Sequence, residues 1–134
     1  MRSIICVVAG FVVMMAVVIA GTAAATELIV PGGLSAAAAG PPESTPLNYY
    51  AANLVVSAMA AMLGGWVTAR MAPSAEMVHV GALALLMLLM SIPTMLGYLP
   101  GSELQPVWYR YTLPVVGISA ALLGGWLRSR VVVT

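Results

Sequence analysis

Charge is scarce in this chain. Five basic and four acidic residues stand among 134, or 7% of the sequence. A soluble domain usually carries about 25% charged residues, so this chain cannot clothe a water-facing surface with polar groups. It also lacks the basic patch that a nucleic-acid partner would need. One cysteine excludes an intrachain disulfide framework or a cysteine metal cluster. No aspartate occurs, so there is no Ser–His–Asp set. The single histidine excludes a His-Glu-x-x-His metal motif, and no phosphate-binding loop is present. No charged residue lies deep in an apolar segment, where ion pumps and secondary transporters commonly keep one. Catalytic, metal-binding and cofactor-binding residues are therefore not expected, and no cofactor is implied.

What is present is apolar: 62% of the residues are hydrophobic, and the mean hydropathy is +1.04. Long apolar stretches run over about 4–25, 47–69, 77–99 and 107–127. Each approaches the roughly 20 residues that cross about 30 Å of hydrocarbon at 1.5 Å per residue. None alternates as a barrel strand would. The expected fold is all-α: a polytopic integral membrane protein, a small four-helix transmembrane bundle forming one domain over 1–134. The connectors after the second and third segments are short and hold Pro73-Ser74 and Pro100-Gly101, which predict tight turns. The first connector, 26–46, is long and holds Pro31-Gly32-Gly33 and Pro41-Pro42, with an Ala-rich helical turn expected over 35–39.

Arg2, Arg70, Arg128 and Arg130 fall on one side of this arrangement, while Glu27, Glu43 and Glu103 fall on the other. The positive-inside rule then places both termini in the cytoplasm, in a cell inner or plasma membrane. Arg110 is the exception. It sits in the first turn of the fourth segment on the outer side, and is read as snorkelling to the headgroups beside Trp108, Tyr109 and Tyr111. The N-terminal segment also resembles a secretory signal peptide ending in Ala23-Ala24-Ala25. Its apolar run exceeds the usual length, which favours a retained helix; cleavage would leave the orientation of the rest unchanged.

Residues 49–70 and 109–130 match at an offset of sixty, most sharply in Leu63-Gly64-Gly65-Trp66 and Leu123-Gly124-Gly125-Trp126. Both copies run outside to inside, which predicts a parallel two-helix repeat. Ser57, Ala61 and Gly65 lie four apart, as do Gly117, Ala121 and Gly125. Such stripes occupy one helix face and let backbones approach closely where lipid gives no hydrophobic drive. They are expected to pack the second and fourth helices together, or against another chain. Trp66 with Arg70, Trp126 with Arg130, and Trp108 with Arg110 read as membrane anchors. Asn53 is a side-chain amide well inside a segment, and Glu76 lies three residues before His79 on one face; these form a candidate polar site. A cavity ringed by Asn53 and the bends at Pro93 and Pro114 is an alternative to plain packing there. Ten methionines follow no fixed spacing and read as gap-fillers.

The functional expectation is a non-enzymatic structural or accessory subunit assembling through its small-residue faces. Its partners would be the lipid bilayer and either further copies of itself or another membrane protein. The alternative is a homo-oligomeric transporter or channel for a small or apolar solute. A polar midplane cavity would favour the alternative, and a packed apolar centre the accessory role.

Overall fold

The computed structural model describes residues 2–39, 45–99 and 102–131. It is all-helical. Five α-helices follow in order: α1 (Arg2–Ile29), α2 (Gly33–Ala39), α3 (Leu47–Met71), α4 (Glu76–Met95) and α5 (Val107–Val131), with a 3-10 turn at Ser102–Leu104. No strand forms among the described residues. Three helical stretches, Ser3–Ile29, Leu47–Met71 and Glu76–Met95, are long and apolar enough to cross a membrane. α5 is as long as α3, at 25 residues. It carries Arg110, Arg128 and Arg130 together with Pro114, Trp108 and five further polar aromatic or hydroxyl side chains, Tyr109, Tyr111, Thr112, Ser119 and Ser129, and falls short of the same apolar standard.

Three helix ends depart most from the sequence reading, and one of them is that of α5, which runs on to Val131 rather than stopping near residue 127. α1 does not stop at residue 25 but continues to Ile29. Thr26 donates back to the Thr22 carbonyl at 2.8 Å. The Glu27 carboxylate, assigned from sequence to the loop, sits on the last helical turn and accepts the Leu34 N–H at 2.9 Å, at the start of α2. α4 ends at Met95, short of residue 99. Gly97 takes a left-handed φ of 77°, while Tyr98 N–H donates to the Pro93 carbonyl and Gly97 N–H to that of Thr94. That double closure is the glycine-terminated stop in which only the residue without a Cβ is unstrained. Pro41-Pro42 and Glu43 lie outside the described residues, as does the Glu103 side chain.

The helix directions follow from which residues meet. Gly10 lies against Gly64, Gly21 against Val56, and Thr22 bonds Asn53; the numbers run in opposite senses, so α1 and α3 are antiparallel. Gly97 meets Arg110, Gly117 meets Met87 and Gly125 meets Val80, so α4 and α5 are antiparallel as well. Asn53 bonds Tyr109 near one end and Gly65 meets Ala121 near the other, so here the numbers rise together and α3 and α5 run parallel. α3 is the central helix, packed along α5 and α1, and α4 lies mainly on α5. α1 and α4 touch only lightly.

These close crossings depend on missing side chains. A Cβ on Gly65 would overlap the Ala121 carbonyl, and one on Gly124 the Met62 carbonyl. A Cβ on Gly64 would stand 2.8 Å from the Gly10 carbonyl oxygen. Ala60, Ala61 and Ala121 are fully buried between the same helices, with Met14 closing the cluster. In lipid, such contact gains dispersion energy from backbone-to-backbone approach rather than from hydrophobic burial.

Candidate functional site

A cavity of about 320 Å³ lies inside the bundle, with walls from α1, α3, α4 and α5. The small residues create the space: Ser57 and Ala61 on α3 and Gly117 on α5 put little bulk where the helices face each other. Methionines shape the rest, with Met14 and Met15 on α1 and Met87 and Met90 on α4. Met15 and Met90 are 39% and 61% exposed, so the cavity opens on the side where α1 and α4 barely touch. Ligand pockets of about 300–1,000 Å³ are typically apolar with a few placed polar groups, and this one matches that pattern.

Its polar groups sit toward one end. Thr94 and Ser91 line it from α4, and Arg110 from α5. Ser91 is already engaged: its hydroxyl donates to the Leu88 carbonyl at 2.7 Å and approaches the Met95 sulfur at 3.7 Å. It therefore does not serve the Leu89 carbonyl that Pro93 frees. Arg110 is different. Its Nε is enclosed and has no hydrogen-bond partner, and among the described residues no carboxylate pairs with it. The bare face of Gly97 makes room for it: a Cβ there would stand 2.9 Å from Nη1.

Asn53 is not on the cavity wall. It bridges three helices instead, accepting from Thr22 at 2.8 Å through Oδ1 and donating through Nδ2 to the Tyr109 hydroxyl. Thr26 reaches the Tyr49 hydroxyl at 3.4 Å beside this bridge. Tyr50 packs on Tyr109 with ring centres 4.8 Å apart and on Trp108 at 6.1 Å. An aromatic and polar knot thus closes the end of the bundle that holds Arg110.

The opposite end carries Arg70, His79, Arg128 and Arg130. Arg70 lies over the Trp66 ring at 5.1 Å, and Arg130 over Trp126 at 4.7 Å, each one helical turn apart. Such cation–π pairs hold a guanidinium above its ring while leaving it exposed. His79 Nδ1 is 3.1 Å from the Ala75 carbonyl; no contact joins it to Glu76 among the described residues. Asn53 is at the far end of the molecule from both. Cys6 is buried and donates to the Ser3 carbonyl at 3.0 Å. Among the described residues no group of three His, Cys, Asp or Glu side chains could hold a metal ion.

Of the small residues singled out from sequence, Ala61, Gly65, Gly117, Ala121 and Gly125 are buried and Ser57 lines the cavity. The methionines on the cavity wall escaped sequence reasoning, because Met14, Met15, Met87 and Met90 share no linear spacing. Arg110 carried the one available signal, an arginine inside an apolar segment. Compared with known proteins, the chain matches no family model, no curated protein and no solved structure.

Proposed function

We propose that this chain is a non-enzymatic, multi-pass membrane protein that holds a small apolar solute inside a four-helix transmembrane bundle. The cavity walled by all four long helices carries this reading. α5 serves as the fourth span. It contacts α4 at Gly97, Met87 and Val80, along nearly the whole length of that helix. A helix packed on α4 from end to end shares its depth in the bilayer, whatever its own hydropathy. Its arginines suit that position, lying in the first and last turns rather than mid-span.

Several features support an arrangement of two parallel helix pairs with both termini cytoplasmic. α3 and α5 are each 25 residues long and start sixty positions apart, at Leu47 and Val107. Each is antiparallel to the helix that precedes it in its pair, and the two lie parallel at the centre. Arg70, Arg128 and Arg130 gather at one end, which the positive-inside rule assigns to the cytoplasm. The small-residue faces are occupied within the chain. That favours solute holding over an accessory subunit assembling through those faces; a second copy or another membrane protein would dock elsewhere.

Native mass spectrometry after mild membrane extraction tests the reading. The expected result is an intact chain carrying a small non-protein companion. Gly117→Phe, which projects a ring into the cavity toward the movable end of Met87, should release it. A chain that carries only another protein, unaffected by Gly117→Phe, would overturn the proposal.

A further inference from the structure

The cavity is polarised along its length. Arg110 and Gly117 are seven residues apart on α5, so the charged end and the glycine level stand about 10 Å apart along the helix axis at 1.5 Å per residue. Thr94 and Met87 mark the same descent on α4, and Val18 and Phe11 continue the apolar wall on α1 toward the arginine-rich end. A single cation thus sits at the outer end of a cavity whose deeper wall is apolar.

Among the described residues that cation has no partner. Arg110 is partly buried, its Nε is enclosed with no acceptor, and the described residues supply no carboxylate to it. A buried guanidinium normally finds a hydrogen-bonded anion. Elsewhere in the molecule, Arg70 and Arg130 stack on tryptophan rings; Arg110 has no such contact. Its own turn offers none, and the neighbouring α4 terminus offers only the bare face of Gly97.

We propose that the cavity binds an anionic single-chain amphiphile, with its head group on Arg110 and its acyl chain among Met14, Met87 and Met90. The inference rests on the reading that the cavity holds an apolar solute, and adds the head group. The volume suits one chain rather than two. Flexible thioether side chains accommodate a chain of variable path. The opening between α1 and α4 faces the surrounding lipid, so the ligand arrives laterally from the bilayer, its head already at interfacial depth. The anionic head is the shared chemistry of a free fatty acid and a lysophospholipid.

The test uses the full-length protein in phosphatidylcholine nanodiscs with laurate and dodecanol that each carry a terminal diazirine. Photolabelled positions are read by peptide mass spectrometry. Both probes should label the cavity residues Met14, Ala61 or Met87. Unlabelled laurate or lysophosphatidylglycerol should displace the labelled laurate about tenfold better than dodecanol or dodecyltrimethylammonium, the advantage expected of a charge-assisted contact. The better of the two anions names the source of the ligand, and either rank supports the proposal. Arg110→Gln should retain cavity labelling and abolish the preference for an anion. Equal displacement by anionic, neutral and cationic competitors in the wild-type protein would overturn the head-group assignment and leave the apolar cavity intact. Absence of cavity labelling by both probes would overturn the solute-holding reading itself. The wild-type comparison needs no variant, so a folding defect in Arg110→Gln does not blunt the test.

Discussion

Asn53 joins α1 and α5 through α3, and its two hydrogen bonds, to Thr22 and Tyr109, are the polar tie among the three helices. In lipid each interhelical bond of this kind contributes on average about 0.6 kcal/mol and at most about 1.7. Asn53→Leu should therefore lower stability by about 1 kcal/mol, measured by denaturant titration in mixed micelles. Tyr109→Phe removes one of the two bonds and should cost about half as much. If Asn53→Leu left the unfolding midpoint unchanged, the bridge would hold nothing together. Ala75 presents the opposite situation, a residue in an unfavourable conformation. It precedes α4 with φ 48° and ψ 50°, the left-handed region. A Cβ there costs about 1–2 kcal/mol, partly offset in a glycine variant by the greater freedom of its unfolded chain. Ala75→Gly should thus raise stability by about 0.5 kcal/mol; a fall in the midpoint would contradict that backbone geometry.

At the scale of helices, close packing is decided by which positions lack a Cβ and which merely happen to be glycine. A leucine at Gly65 would collide with the Ala121 backbone and one at Gly124 with the Met62 backbone. Neither neighbour is a flexible side-chain end, so α3 and α5 would have to separate. Gly65→Leu and Gly124→Leu should each sharply reduce folded yield and thermal stability. Gly81 is the control: nothing stands within 4 Å of a Cβ built there. Gly81→Ala gains helix propensity, about 0.5–1 kcal/mol, and should be neutral or stabilising. Equal losses at all three positions would refute the α3–α5 crossing. Much of this was legible in the sequence. The small-residue stripes and the Leu-Gly-Gly-Trp segments pointed to α3 and α5, and an apolar chain almost without charge left helices as the alternative to barrel strands. Helix ends were less legible. Gly97 gives no sign in a linear reading that its φ is positive, since glycine inside an apolar run is also tolerated in a membrane helix. Glu27 read as a loop residue because acidic residues seldom sit within spans, yet it caps the start of α2 from the last turn of α1. The cavity was least legible, because it arises from the coincidence of Met14, Ser57, Met87 and Gly117 on four helices whose relative rotation only the folded chain fixes.

For the molecule as a whole, the decisive matter is whether α5 crosses the bilayer with α1, α3 and α4. Hydropathy alone leaves it apart from the three apolar helices. Packing supports the four-span arrangement proposed above, since α5 is held between α3 and α4 and a shared depth keeps those contacts together. Single cysteines placed in a Cys6→Ala background decide it. Ser35, after α1, and Leu104, before α5, should react with an impermeant maleimide added to intact cells. Ser74, between α3 and α4, and Ser129, in the last turns of α5, should react only after the membrane is opened. If the Leu104 and Ser129 sites react from the same side, α5 does not cross and the four-span arrangement falls. If Ser74 reacts from outside while Ser35 does not, the molecule is inverted, and Arg110 would present its guanidinium to the cytoplasmic leaflet. That leaflet is the richer in anionic lipid, so the two orientations give the Arg110 cavity different supplies of ligand.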